Sequence, residues 1–297
     1  MAARCGSAAP QKEPATMNAS AGRAISDYQI QFLYRPGKHL SLGQFETLAG
    51  ELRECAATCF EEVPAYQCLV ETREALSDKV LAVAWRRDGH IGGFCSAVLL
   101  PVEGVGEVFH LGLTCVRPED RSAGLTHILT SKVAVEYLLR RRPLSKVWLT
   151  NAACVLSSLG NVALHFDEVY PGPEFAERPG ETHLRIARAI SEDHREKMFV
   201  HADARFDEDA FVFRRANAGN CFQKKAEDTR FHHRRADLND YYSGLMGWSD
   251  GDVVLQVGSF SLLTGARYFG SRLLSSLRSR GAKVRVSARP HKGTQAA

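Results

Sequence analysis

A chain of 297 residues, 44% hydrophobic and 24% charged, can bury a sizeable core. No apolar run approaches the eighteen or so residues that a bilayer-spanning helix needs, which argues against an integral membrane protein. The formal net charge of +4 is unevenly placed: residues 260–297 carry eight Lys and Arg and no Asp or Glu, which leaves the preceding body four negative.

Residues 1–26, rich in Ala, Ser, Gly and Pro, show no sustained period and read as a disordered leader. Few acidic residues make mitochondrial import the second reading, although Pro10 and Pro14 interrupt any amphipathic helix. The eight cysteines include no Cys-x-x-Cys pair, and no signal-peptide core is visible at the N-terminus. Reduced thiols and a cytoplasmic location follow as expectations.

Tyr28 to Tyr34 alternates as a first strand, and Arg35-Pro36-Gly37 turns out of it. A helix opens at Ser41 or Leu42 and runs to about Glu62, with Phe45, Leu48, Leu52 and Cys55 on its apolar stripe. A short helix is predicted over Leu69 to Leu76. Lys79 to Arg86 and Ile91 to Leu100 form a hairpin about Asp88-Gly89-His90. The central stretch follows: a buried strand over Glu107 to Val116, a Pro-containing turn, and a helix carrying Leu125, Ile128, Leu129, Val133 and Tyr137. A glycine turn ahead of a helix presents unpaired amides at the positive end of the helix dipole, where phosphate is the expected guest.

The wording of that turn, Val116-Arg117-Pro118-Glu119-Asp120-Arg121-Ser122-Ala123-Gly124-Leu125-Thr126, resembles motif A of the GNAT acyltransferase superfamily. Thr126 stands where the family has glycine or alanine. The resemblance implies that Arg121, Ser122, Ala123, Gly124, Leu125 and Thr126 grip the pyrophosphate of acetyl-CoA. It implies also that Thr114, Cys115 and Val116 pair with the pantetheine arm. The order of elements, strand, helix, three antiparallel strands, phosphate turn and helix, is also the order in which the GNAT fold begins.

Further along, Lys146 to Thr150 is the next strand and Ser157 to Glu168 a short helix, with Asn161 where the family usually has an asparagine, which the resemblance implies as a cofactor or water ligand. The family's tyrosine acid is displaced, and Tyr170 is its nearest equivalent. Glu181 to Phe199 reads as an amphipathic helix, Ala210 to Arg214 as a strand, Asn220 to Trp248 as mostly helical, and Asp252 to Phe260 as a last strand. Residues 260–277 form a basic helix whose simplest role is docking on the domain; binding to nucleic acid or another anionic surface is its rival.

The expected fold is therefore α/β: a mixed, mostly antiparallel twisted sheet flanked by helices. The expected organisation is a GNAT-like domain over 27–260, with its motif core at 79–173 and a helical insertion at 216–249, followed by a basic helix and tail at 261–297. The expected function is transfer of an acetyl group from acetyl-CoA to an amine of a small molecule or peptide. The alternatives are a non-catalytic binding module of the same fold, or an anionic-surface binder. His110 is the preferred base, being titratable near neutrality, with Glu107 second. Their odd spacing puts them on opposite faces of one strand. Tyr170 is the candidate acid, and no metal site is expected.

Overall fold

The computed structural model describes residues 24–141, 145–175, 178–268 and 270, without the side chains of Ser122 and Ser249. A nine-stranded sheet forms its frame. In chain order the elements are β1 (Tyr28–Tyr34), α1 (Leu42–Ala57), β2 (Lys79–Arg86), β3 (Ile91–Val102), β4 (Gly106–Val116), α2 (Leu125–Arg141), β5 (Val147–Ala153) and α3 (Leu156–His165). They continue with β6 (Asp167–Tyr170), α4 (Glu181–Asp193), β7 (Arg205–Asp207), β8 (Val212–Arg214), α5 (Ala236–Leu245) and β9 (Val253–Phe260). The strand order is β1-β2-β3-β4-β5-β9-β8-β7, with β6 also paired to β9. Every pairing is antiparallel except β4 with β5. The expected class, a mixed and mostly antiparallel sheet flanked by helices, is the one observed.

Alternation along the strands sorts the core into faces. Val80, Ala82, Cys95, Ala97 and Phe109 pack with Leu125, Leu129, Val133 and Tyr137 of α2. Leu81, Val83 and Phe94 point the other way, onto Phe45, Leu48 and Leu52 of α1. Farther along that second face, Leu100 and Val108 meet Ile186, Ala187 and Ile190 of α4. Helix α1 starts with a capping box, Ser41 Oγ accepting from the Gln44 amide and Gln44 Oε1 accepting from the Ser41 amide.

Several boundaries differ from expectation. Helix α1 ends at Ala57 instead of Glu62, because Cys59 and Phe60 fold back onto the Ala56 carbonyl. Only Glu74–Leu76 of the predicted 69–76 helix is helical, as a single 3-10 turn. The expected mostly helical 220–248 stretch is largely irregular. Its one α-helix is α5, and Asx-type bonds from Asn220 and Asp228 to nearby amides hold the loop instead. The expected extended turn at 169–173 begins with a strand, β6. Residues 262–268 are helical and dock on the domain, whereas the rest of the predicted basic helix and most of the leader lie outside the described residues.

Candidate functional site between strands β4 and β5

Two irregularities in β4 create the site. Opposite β3, Cys95 pairs with Thr114 and Ala97 with Leu111, so the two residues Gly112 and Leu113 face the single Ser96. That is a bulge, and it reverses the side-chain alternation. Leu111 accordingly packs with the α2 face and Leu113 with the α1 face, although they are two apart. On its other edge β4 pairs with β5 only at Phe109–Leu149, His110–Thr150 and Leu111–Asn151. Past Asn151, β5 remains bonded to β9 and parts from β4.

A cavity of about 480 Å³ fills the split. Leu111 to Thr114 form one wall and Asn151 to Cys154 the other. Thr126, His127, Thr130 and Ser131 of α2, with Ser157, Ser158 and Asn161 of α3, close one end. Tyr66, Met198, Phe199, Asn217, Phe222 and Lys224 close the other. Tyr66 and Phe222 pack against the α1 core, so the cavity passes from one face of the sheet to the other. A ligand with two reacting parts can therefore enter from opposite sides and meet at the bulge.

The turn before α2 is built for close approach. Pro118–Ala123 make a 3-10 turn, and Gly124 follows in the left-handed region, φ 71° and ψ 20°, directly before Leu125 opens the helix. A Cβ on Gly124 would meet nothing within 4 Å, so the backbone faces open space at a helix N-terminus. Asp120, fully buried, anchors the turn: Tyr28 Oη donates to its Oδ1 at 2.5 Å, and Arg86 Nε donates to Oδ2 at 2.9 Å. Arg121 is exposed, its Nε donating to the Val116 carbonyl at 3.4 Å.

The sequence-predicted residues divide into two groups. Thr114, Thr126 and Asn161 line the cavity, with Gly124 beside them at the start of α2. Ala123 and Leu125 are buried in the α2 core, and Cys115 in the α1 core. Cys115 and Val116 do not line the cavity.

All three expected catalytic side chains are placed elsewhere. His110 does not line the cavity; it is fully buried, with Nδ1 and Thr150 Oγ1 at 2.9 Å and no partner for Nε2 among the described residues. Desolvation pushes its pKa down to about 3. Glu107 lies five residues before the bulge, roughly 16 Å along the strand. It accepts a 2.6 Å bond from Tyr137 Oη and pairs with Arg35. Tyr170 stacks its edge on Phe211 with centroids 4.8 Å apart and donates to the Asp209 carbonyl at 3.3 Å.

Sequence reading missed the far end of the cavity. Gln67, φ 57°, lays its side chain against the bare face of Gly112, where a Cβ would come within 2.3 Å of Gln67 Cδ. Its Oε1 accepts from Ser96 Oγ at 3.3 Å, and its buried Nε2 has no hydrogen-bond partner among the described residues. Burial pushes the neighbouring Tyr66 phenol up to about 12, with a small opposing pull from Gln67. Tyr66, Phe199 and Phe222 meet edge to face, with centroids 5.2 to 5.6 Å apart. These residues come from connectors with no periodic pattern, and only the bulge gives them a common target.

The segment 261–268 also contributes. Ser261, Leu262, Thr264, Gly265 and Tyr268 share the α2–α3 end of the cavity, and Tyr268 lies between His127 (Oη to Nδ1, 3.2 Å) and His165 (ring centroids 5.0 Å). The predicted basic segment thus begins as part of the cavity wall.

No family model and no curated protein matches the chain. Among solved structures, an acetyltransferase from Trypanosoma brucei is 18% identical, covers 47% of this chain and 92% of its own, and has a TM-score of 0.32. An acyl-CoA N-acyltransferase from Pseudomonas aeruginosa is 22% identical over 48% of this chain and 90% of its own, with a TM-score of 0.30. A ribosomal-protein-alanine N-acetyltransferase from Brucella melitensis is 19% identical over 38% of this chain and 74% of its own, with a TM-score of 0.27. Scores this low carry no conclusion about substrate or activity. What the chain's own coordinates give is the mixed, mostly antiparallel α/β sheet, the bulged β4 that parts from β5, and the turn with free space at Gly124 before α2.

Proposed function

We propose that the chain is an acyl-CoA-dependent N-acyltransferase, with acetyl-CoA as the acyl donor and an amine as the acceptor. One observation carries this reading: the cavity in the β4–β5 split runs from Thr126 in the first turn of α2, just after the Gly124 turn, to Tyr66 and Phe222 of the α1 core, with the β4 bulge between them. Thioester aminolysis needs that arrangement, because donor and acceptor must approach the carbonyl carbon from different directions.

On this reading the amides around Gly124 and Thr126 hold the donor's phosphates, and Thr114 and Asn161 border the path of its arm. The acceptor nitrogen, as a neutral amine, attacks the thioester carbon from the Tyr66 end. A bulge frees backbone groups from the strand ladder, so an amide of Gly112 or Leu113 is the donor available to the tetrahedral oxyanion. Collapse breaks the C–S bond. The amine's surplus proton is released and the sulfur leaves as thiolate, to be protonated to the thiol. Tyr66, with a pKa near 12, stays protonated at neutral pH, so at the acceptor end it is a hydrogen-bond donor and not a base. His110, Glu107 and Tyr170 take no part.

The test is heat unfolding with acetyl-CoA, CoA and ATP, on the wild type and on Gly124→Glu, followed by an assay for CoA release. Ligand at a hundredfold over its Kd adds about 2.7 kcal/mol to the native state. Stabilisation by the CoA compounds, lost in a still-folded Gly124→Glu, is the expected result. No stabilisation at millimolar ligand refutes the proposal. The placement of all three expected catalytic residues away from the cavity favours one second reading, a binding module that holds acyl-CoA without turning it over. CoA release in the presence of an acceptor decides between them.

A further inference from the structure

Among the described residues, no Asp or Glu lines the cavity, and Lys224 is its only Lys or Arg. That charge pattern bears on the acceptor. Polyamines, amino sugars and lysine side chains bind as cations and must lose a proton before they attack. A lysine-type amine, with a pKa near 10.4, is neutral in only about one molecule in two thousand at pH 7. A site for such amines needs a carboxylate to attract the cation and a base beside the nitrogen; this lining has no carboxylate, and its two histidines, His127 and His165, stand against Tyr268 at the α2–α3 end, away from the acceptor end. His110 and Glu107, the expected bases, are outside it.

What the acceptor end does offer is a cluster of aromatic rings and one cation. Tyr66, Phe199 and Phe222 present an aromatic wall. Lys224 is half-buried and makes no ion pair among the described residues; its Nζ donates to the Cys221 carbonyl at 3.0 Å and lies 5.1 Å from the centroid of the Phe231 ring. An ammonium group carries three donors, so this bond leaves capacity for an anion. Asn217 adds a polar group to the same end.

Resting on the transferase reading, we infer that the acceptor is a small aromatic amine bearing a carboxylate: the ring against Tyr66, Phe199 and Phe222, the carboxylate on Lys224, the nitrogen at the bulge. Aromatic amines are weakly basic and uncharged at neutral pH, so attack requires no prior deprotonation by the protein. The transfer is amine plus acyl thioester giving amide plus thiol: the N–C bond forms, the C–S bond breaks, and the proton lost by nitrogen balances the one gained by sulfur.

The experiment measures CoA release from acetyl-CoA with 4-aminobenzoate, 4-methylaniline, L-lysine and spermidine. It is run on the wild type, Lys224→Met and Phe222→Ala, after heat unfolding with acetyl-CoA has been recorded on each. In the wild type, kcat/KM for 4-aminobenzoate exceeds that for spermidine and lysine by a hundredfold or more, on the order of a lost charge-assisted contact plus unpaired burial. Lys224→Met lowers kcat/KM for 4-aminobenzoate by about tenfold, the scale of one hydrogen bond to a charged group, and leaves 4-methylaniline within twofold. Phe222→Ala lowers both aromatic acceptors together. Preference for spermidine or lysine overturns the inference, as does a Lys224→Met that affects the two aromatic amines equally. So does inertness of both aromatic amines while acetyl-CoA still stabilises the fold. Loss of stabilisation by acetyl-CoA in the wild type is a different result, which brings down the transferase reading itself.

Discussion

Substituting His110 by leucine removes an imidazole that is fully buried, bonded through Nδ1 to Thr150, and pushed down to about 3 by desolvation. In the folded chain the ring stays neutral down to that pH, whereas unfolded it titrates near 6.5. Between those values the unfolded state binds the extra proton. The ring's contribution to stability is therefore whole above about pH 6.5 and is lost as the pH falls toward 3, at about 1.4 kcal/mol per pH unit. From about pH 7.5 to pH 5 the loss is about 2 kcal/mol. The leucine variant lacks this slope but forfeits the bond to Thr150, which costs about 1 kcal/mol at all pH values. Urea unfolding at both pH values should then show wild type losing about 2 kcal/mol more than the variant on acidification. On the proposed transferase reading, the variant's CoA release at pH 7.5 should stay within a few-fold of wild type, with the pH profile unchanged in shape. A well-folded variant with activity down a hundredfold, or with one limb of its pH profile missing, would put His110 in the chemistry and refute the argument from its placement.

Other substitutions probe the parts that shape the cavity. Arg86→Met takes the cation from the buried Asp120 carboxylate beneath the turn before α2, leaving it the Tyr28 bond, and should cost about 3–5 kcal/mol. The variant's melting temperature should fall by roughly 2–4 °C for each kcal/mol, and a drop of less than a few degrees would show the pair to be dispensable. Gly112→Ala drives a methyl into Gln67 and should destabilise by about 1–3 kcal/mol, with Gln67→Ala restoring part of that loss in a double-mutant cycle. Additive effects would mean that the contact is not what excludes a side chain there. Cys59 should be the thiol alkylated first by iodoacetamide near pH 7, read by peptide mass. A hydrogen bond from Cys115 above all, helped by Thr58 and Arg121, lowers its pKa to about 5, whereas burial holds Cys55 up near 12. Faster modification of Cys55 would contradict this ordering.

The elements that were legible in the sequence are those whose cause is local. Alternation over Tyr28–Tyr34, the Asp88-Gly89-His90 turn, the Ser41 cap and the Pro118-to-Gly124 turn each specify their structure within a few residues. What escaped depends on partners far away in sequence. Glu107 and His110 have the right chemistry for a base, and their odd spacing sets them on opposite faces of one strand. Nothing local shows that Tyr137 and Arg35 occupy the first, or that Thr150 and a dry core occupy the second. The irregular 220–235 stretch resembles a helix because its aromatic and basic residues recur at intervals that helices also use. Asn and Asp side chains capture the backbone amides there before a helix can.

The bulge explains why the site was harder to read than the fold. A sequence read with period two places Leu111, Leu113 and Cys115 on one face of β4, and a continuous strand would leave no opening between β4 and β5 wide enough for a ligand. One extra residue at Gly112–Leu113 reverses the alternation and ends the pairing with β5 after Leu111. Gly112 permits this because Gln67 fills the space its side chain would need. The same close approach fixes the connector after α1, bringing Tyr66 to the cavity and, through the aromatic wall, Phe199 and Phe222. A glycine in mid-strand and a glutamine in a connector thus decide together where the sheet opens and which side chains meet whatever enters it.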